Sequence, residues 1–250
     1  MWHLARVRSD DVLPARELLS RALELDPTLA AAHAALAALF IDEGAMFATR
    51  PLLEALRLAG DEARKALELD PTDADAHGSR ALAVGHLGDY AGGFDHVDRA
   101  LSINPNCAQA HHVKGWLQIF TGQPAEGRMA ILYGIRLDPR RVSYPFVRSN
   151  IIMSYYIESD YETTVTEATR LIKDRPDFPY AYRWLAAALG QLDRGDEARS
   201  ALTRAIETAP EAFHLYVEQR VPWMSQPVYH HMMEGLRKAG WRSVDETSAH

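Results

Sequence analysis

Small, apolar and polar positions recur along this chain with a period close to 34 residues, and prolines separate the copies. The prolines that mark the pattern are Pro27, Pro71, Pro105, Pro139, Pro176 and Pro210. The intervals between them are 44, 34, 34, 37 and 34 residues. Because a proline disfavours the α conformation in the residue before it, each of these prolines is expected to follow the end of a helix.

The residues before each proline predict one face of a helix. The positions twelve and five before the proline are mostly small and the position eight before is mostly apolar, as in Gly93, Val97 and Ala100. Residues spaced by four and three lie on one helical face. Small residues on that face let a neighbouring helix approach closely. One copy departs from the pattern, with Thr164 and Leu171 at the small positions.

A second predicted helix follows each proline. Near its start this helix carries a ring, at His33, His77, His111, Tyr182 and His214, and the first four of these lie six residues after the proline. In the divergent copy Arg148 stands where the ring is expected. The pattern resembles the tetratricopeptide repeat (TPR), a helix-turn-helix unit of 34 residues, over roughly Pro14 to Pro210. The resemblance implies an all-α, right-handed α-solenoid of about five helix pairs with a C-terminal capping helix.

The irregular parts of the pattern define the predicted organisation. Residues 1–210 are expected to form the repeats, with the first repeat truncated at its N-terminus so that Met1–Arg8 is the end of a helix. Ten extra residues fall within 43–53 and are expected to lengthen the connection inside one pair or to extend its second helix. Residues 211–243 are expected to form capping helices and 244–250 a frayed tail.

The TPR resemblance also implies a binding surface. In such arrays the first helices line a concave groove, and residues one turn apart on their exposed side meet the ligand. The corresponding residues here are His86, His112, Trp116, Ile119, Phe120, Phe146, Met153, Tyr156, Ile157, Tyr180, Arg183 and Gln191. This aromatic stripe predicts a groove for an amphipathic helix or an extended peptide, anchored by Trp116 and Tyr156. The alternative is that these side chains pack against the neighbouring helix.

Catalytic and metal-binding chemistry is not indicated. The sequence contains no glycine-rich phosphate loop and no G-x-S-x-G or kinase motif, so no catalytic residue and no cofactor are predicted. The recurring histidines occupy one equivalent site in successive repeats, too far apart to share an ion, so no metal is predicted. The net charge of -7 argues against nucleic-acid binding. A single cysteine, Cys107, together with no apolar run long enough to span a bilayer, predicts a cytoplasmic protein with no membrane association.

Both ends of the chain resemble a more specific group. Two segments, WHLARVRSDDVLPARELLSRALELDPTLAAAHAALA at the start and VPWMSQPVYHHMMEGLRKAGW near the end, are similar to the TPR region that follows the catalytic domain of many bacterial class III adenylate/guanylate cyclases. Similar regions follow winged-helix DNA-binding domains in some bacterial regulators. The resemblance implies a non-catalytic module of a bacterial signalling protein that binds a protein or peptide. The alternative is a regulatory region of such a cyclase that self-associates through its terminal helices.

Overall fold

The computed structural model describes residues 9–47, 49–139, 144–176 and 178–242, and every regular element within these ranges is helical. The all-α class is therefore confirmed. The chain divides into two compact units, Met1–Tyr144 and Pro145–His250. The predictions made for Met1–Arg8 and for residues 244–250 lie outside the described residues.

Helices joined by short turns form pairs in both units. The first unit contains α1 (Ser9–Leu25), α2 (Ala30–Ile41), α3 (Leu52–Leu69), α4 (Ala74–His86), α5 (Tyr90–Ile103), α6 (Ala108–Phe120) and α7 (Pro124–Leu137). The second contains α8 (Tyr144–Ile157), α9 (Tyr161–Asp174), α10 (Pro179–Gln191), α11 (Gly195–Thr208), α12 (Pro210–Val217) and α13 (Gln226–Lys238). The pairs are α2/α3, α4/α5, α6/α7, α8/α9 and α10/α11, and α1 precedes them in the chain.

The prolines end the second helix of each pair. α3 ends at Leu69, two residues before Pro71, and the same spacing separates the other five prolines from the helix that precedes them. The residue between, here Asp70, is extended, and its Oδ1 accepts hydrogen bonds from the backbone N–H of Thr72 at 2.9 Å and from the Thr72 hydroxyl at 2.7 Å. This Asx turn satisfies polar groups at the break and leads the chain into the next first helix.

A ring six residues after the proline holds the turn in place at Pro27, Pro71, Pro105 and Pro176. His77 Nε2 lies 3.2 Å from the carbonyl oxygen of Pro71 and must donate to it, because a carbonyl can only accept. The equivalent contacts join His33 to Pro27, His111 to Pro105 and Tyr182 to Pro176, at 3.1, 2.9 and 3.3 Å. Arg148, at the ring position of the divergent copy, instead donates to Glu167 of α9 at 2.8 Å.

The turn inside a pair also has a constant geometry. Two residues after the first helix, the chain adopts a left-handed conformation at Gly88, Gly122, Ser159 and Asp193, with φ of 90, 89, 62 and 57°. Glycine adopts this conformation without a Cβ penalty. The next residue starts the second helix, and Asp160 does so by accepting a hydrogen bond from the Thr163 N–H at 3.1 Å.

Small residues set the distance between the two helices of a pair. The closest case is α6 against α7, where a Cβ placed on Gly115 would lie 2.3 Å from the carbonyl oxygen of Gly127. A Cβ on Gly127 would lie 2.4 Å from the carbonyl oxygen of Gly115. Neither position has room for a side chain, so the two backbones are in direct contact.

The extra residues within 43–53 change the pair α2/α3 in both of the ways considered. The end of α2 continues into a π-helical turn at Asp42–Met46, and α3 is 18 residues long, whereas α5, α7, α9 and α11 have 14. Glu43 is buried there and accepts hydrogen bonds from Arg16 at 2.8 Å and from Arg50 at 2.6 Å. The two guanidinium groups compensate the buried carboxylate and tie α1 to the insertion.

We expect Gly127→Ala to lower the free energy of unfolding by about 1 to 3 kcal/mol, because the new methyl group would push α6 and α7 apart. Gly195→Ala is the matched control, since its Cβ would meet only the flexible end of Arg199 at 3.4 Å. The control should be neutral or stabilise by up to about 1 kcal/mol, as alanine favours helix. Urea denaturation followed by circular dichroism measures both values. A Gly127→Ala protein as stable as the wild type would show that the pair tolerates a wider separation.

Candidate functional site

The residues predicted to line an open groove are mostly covered. Nine of the twelve are buried, namely His86, His112, Trp116, Ile119, Phe120, Met153, Tyr156, Tyr180 and Arg183. The other three, Phe146, Ile157 and Gln191, are half-buried. The prediction of an exposed aromatic stripe is therefore wrong, because these side chains fill the spaces between neighbouring helices.

In the first unit, the predicted residues pack between α4 and α6. The ring of His86 stacks on Trp116 with centroids 4.4 Å apart, and Trp116 also contacts Phe120 at 5.2 Å. A Cβ on Gly85 would lie 2.8 Å from the Trp116 ring, so glycine makes room for the indole. Trp116, predicted as a ligand anchor, is thus part of the core of the first unit.

His86 is held neutral by this environment. Its Nδ1 donates to the carbonyl oxygen of Leu82 at 2.7 Å. Burial lowers the pKa of His86 to about 4, because the imidazolium would lose its hydration between the packed helices. At neutral pH the side chain is therefore an uncharged, stacked ring.

In the second unit, aromatic contacts join the first helices α8 and α10. Phe146 meets Tyr180 edge to face with centroids 5.8 Å apart, and Tyr156 lies 5.2 Å from Trp184. The two helices thereby form one face, which we call the α8–α10 face and define by Met153, Tyr156, Ala187, Gly190 and Gln191. The sequence analysis had placed Met153, Tyr156 and Gln191 on the proposed binding stripe.

The C-terminal helix α13 lies on the α8–α10 face. The Tyr156 hydroxyl donates to the backbone carbonyl of His231 at 2.8 Å, and Lys238 Nζ donates to Gln191 Oε1 at 2.8 Å. The ring of His231 lies against that of Tyr156, with centroids 4.6 Å apart. α13 contacts α10 more extensively than it contacts α11. The predicted capping helix therefore packs on the proposed binding surface.

Two glycines allow α13 to approach α10 at backbone distance. A Cβ on Gly190 would lie 2.1 Å from the carbonyl oxygen of Gly235. A Cβ on Gly235 would lie 2.4 Å from the carbonyl oxygen of Ala187 and 2.5 Å from the Tyr156 hydroxyl. Any other residue at either position would hold the helices apart.

Sequence reasoning missed Gly190, Gly235 and His231 as members of this site. Gly190 and Gly235 lie inside helices, where glycine costs about 1 kcal/mol relative to alanine and so calls for a packing reason. That signal was available. What it could not supply was the identity of the opposing helix, since nothing local relates residue 190 to residue 235.

Arg183 is a buried cation in an aromatic environment. Its guanidinium carbon lies 4.1 Å from the ring centroid of Tyr216, 5.2 Å from that of Trp184 and 5.6 Å from that of Tyr180. Burial lowers the pKa of Arg183, and the two tyrosines oppose this effect. Cation–π attraction is strongest for a desolvated group. Arg183, predicted as a groove residue, therefore joins α10 to α12.

Among the described residues no three His, Cys, Asp or Glu side chains are grouped so that they could hold a metal ion. Within the same ranges, no helix combines the length and the apolar character that crossing a membrane would require.

Solved structures similar to this chain share its fold. A component of the Cut9–Hcn1 hetero-tetramer of the APC/C aligns with 97% of this chain and 46% of its own, at a TM-score of 0.65 and 13% identity. PilW, a type IV pilus biogenesis factor, aligns with 78% of this chain and 90% of its own, at a TM-score of 0.58 and 18% identity. A thermophilic TPR protein of Thermus thermophilus aligns with 66% of this chain and 89% of its own, at a TM-score of 0.55 and 18% identity.

These likenesses establish the fold class as TPR-like helical repeats, as the sequence predicted. At identities of 13 to 18% these similarities show the fold and do not extend to function. No protein-family model matches the chain, and no curated protein sequence matches it.

The low pKa of His86 gives stability a defined pH dependence. An unfolded histidine binds a proton near its ordinary pKa of 6.5, whereas folded His86 binds one only near pH 4. Its contribution is therefore fully present above about pH 6.5 and is lost as the pH falls toward 4. When the pH is lowered from neutral to about 4.5, we expect the free energy of unfolding to fall by about 2 to 3 kcal/mol more in the wild type than in His86→Phe, which has no imidazole at this position to protonate. Denaturant titrations at both pH values measure the difference, and parallel curves for the two proteins would contradict it.

Proposed function

We propose that this chain is a non-catalytic protein–protein interaction scaffold, a module of a bacterial signalling protein, that binds a partner helix or peptide on its first helices. The observation that carries the proposal is the seating of α13 on the α8–α10 face. An amphipathic helix already contacts Tyr156 and Gln191, which sequence analysis had assigned to ligand binding. The TPR-like fold supports the same conclusion, because stacked helical pairs present extended surfaces for binding.

A displayed library of random peptides tests the proposal. Panning against the immobilised Gly235→Leu chain, in which α13 cannot seat on the α8–α10 face, should enrich a family of amphipathic helical peptides. Hydrogen exchange of α8 and α10 in that chain should slow when such a peptide binds. Met129→Glu together with Leu132→Glu is the control, because these exposed side chains of α7 offer nonspecific apolar contact and are not part of the α8–α10 face. Binding should survive in the control. Enrichment of no peptide family, or loss of binding in the control, would count against the proposed function.

A second candidate function is favoured by the exposed surface of α1. Leu18 and Leu25, two helical turns apart, are 57% and 83% exposed. An apolar stripe of this kind fits self-association through a terminal helix, the mode in which the chain would serve as a regulatory region of an adenylate/guanylate cyclase. This candidate differs from the first because the partner is a second copy of the chain.

For this candidate, sedimentation velocity over a range of protein concentrations should show a dimer that dissociates on dilution. Leu18→Glu combined with Leu25→Glu should be monomeric at every concentration, because charges cannot be buried unpaired in the contact. Leu53→Glu, which alters a residue of α3 that is 64% exposed, controls for the removal of surface leucine. A wild-type chain that stays monomeric throughout would exclude self-association through α1.

A further inference from the structure

The C-terminal helix α13 has the form of a bound ligand. Its buried side is a stripe at helical spacing made of Met232, Met233, Gly235, Leu236 and Ala239. Its outer side carries the exposed residues His230, Glu234, Arg237 and Lys238. An amphipathic helix laid into a receptor surface has this division of residues.

We propose that α13 is a built-in ligand, and that the α8–α10 face binds a partner helix carrying the same stripe of methionine, glycine, leucine and alanine, which displaces α13. The inference rests on the proposed scaffold function and adds the chemistry of the partner and the means by which the site is closed. A second copy of this chain supplying its own α13 is an alternative outcome that the test separates.

Glycine is the first requirement for the partner helix. At Gly235 the carbonyl oxygen of Ala187 and the hydroxyl of Tyr156 both lie where a Cβ would be, at 2.4 and 2.5 Å. A helix with any larger residue at this point cannot seat at the observed depth. Ala239, one turn further on, is also fully buried, so a small residue four positions after the glycine is the second requirement.

Tyr156 recognises a helix backbone rather than a side chain. Its hydroxyl donates to the main-chain carbonyl of His231, a group that every helix presents. Burial raises the pKa of Tyr156, so the hydroxyl keeps its proton and remains a donor. By contrast, the 2.8 Å contact between the Tyr161 hydroxyl and His231 Nε2 depends on the side chain. The face therefore combines general helix binding with selection at the glycine position, and Tyr161 of α9 adds a contact that a histidine in the partner helix would strengthen.

The segment before α13 has anchoring contacts of its own. Val221, Trp223 and Met224 are buried, and Trp223 lies 6.0 Å from Tyr216 of α12, centroid to centroid. Arg220 adopts a φ of 51° and donates to the carbonyl oxygen of Met224 at 3.1 Å. Tyr229 of α13 also donates to the carbonyl oxygen of Val217 in α12 at 2.6 Å, so displacement of α13 would break this bond while the Trp223–Tyr216 contact still holds the segment to α12.

Tethering explains why the site would be closed at rest. A helix attached by a short segment competes at an effective concentration in the millimolar range. A free helix with the same contacts would therefore bind the wild-type chain only weakly. Weakening α13 within the chain should open the site to the same sequence added in trans.

The test uses a fluorescein-labelled peptide of residues 226–242 and fluorescence anisotropy. Gly235→Leu in the full chain should prevent α13 from seating and raise the affinity for the wild-type peptide by at least about tenfold. The double variant Gly190→Leu/Gly235→Leu should not bind the peptide, because the leucine at position 190 of α10 would occupy the space that the peptide backbone needs. Arg237→Leu is the matched control, since it adds a leucine to the exposed side of α13, and it should bind the peptide as weakly as the wild type does.

Several outcomes would overturn the inference. A Gly235→Leu chain that keeps its helicity and cooperative unfolding but binds no peptide would show that α13 is a permanent part of the fold. If that variant does not fold, hydrogen exchange of the wild type with excess peptide decides: faster exchange confined to α13 supports displacement, and unchanged exchange refutes it. Light scattering that shows a 1:1 complex when the Gly235→Leu chain is mixed with the wild-type chain would assign the face to a second copy, since only the wild-type α13 keeps the glycine that the face requires. Library peptides that bind while the 226–242 peptide does not would leave the scaffold function standing and reject only this inference.

Discussion

Direct contact between helix backbones, permitted by small residues, is the constraint on which this structure depends. Between α6 and α7 the contact is made by Gly115 and Gly127, each against the other's carbonyl oxygen. The same device appears between α10 and α13, where Gly190 and Gly235 meet. In the first case it joins sequence neighbours, and in the second it brings together residues from distant parts of the chain. Shape rather than charge therefore decides which helices are partners.

The local features of the fold could be predicted because their causes are local. A proline, the polar residue before it and a ring six residues later lie close together in the chain, and their hydrogen bonds involve only that turn, as for Asp70, Pro71 and His77. The end of each second helix and the start of the next first helix follow from these residues. The irregular pair α2/α3 was also located by its spacing, although the buried Glu43 with its two arginines was not foreseen.

The candidate site could be predicted only in part. Periodicity identifies which residues share a helical face, and two of the residues it assigned to the binding stripe, Tyr156 and Gln191, both contact α13. It does not reveal what covers that face, which depends on where a segment some 70 residues away folds back, as the bond from Tyr156 to His231 illustrates. Trp116 shows the same limit, because an aromatic residue on an inward stripe serves equally well as a ligand contact or as a core residue. Here it stacks on His86.

The position of α12 explains where the repetition stops. The preceding first helices α2, α4, α6 and α10 begin three residues after their prolines, whereas α12 begins at Pro210 itself. Three residues correspond to nearly one helical turn, so Tyr216, six residues after Pro210, lies about one turn further along its helix than the other rings do, and it faces Arg183. The constant spacing between proline, helix start and ring is therefore broken at Pro210. A further helix pair added after α12 would therefore need the three-residue spacing between Pro210 and the helix start to be restored, so that its helices meet their neighbours in the usual register.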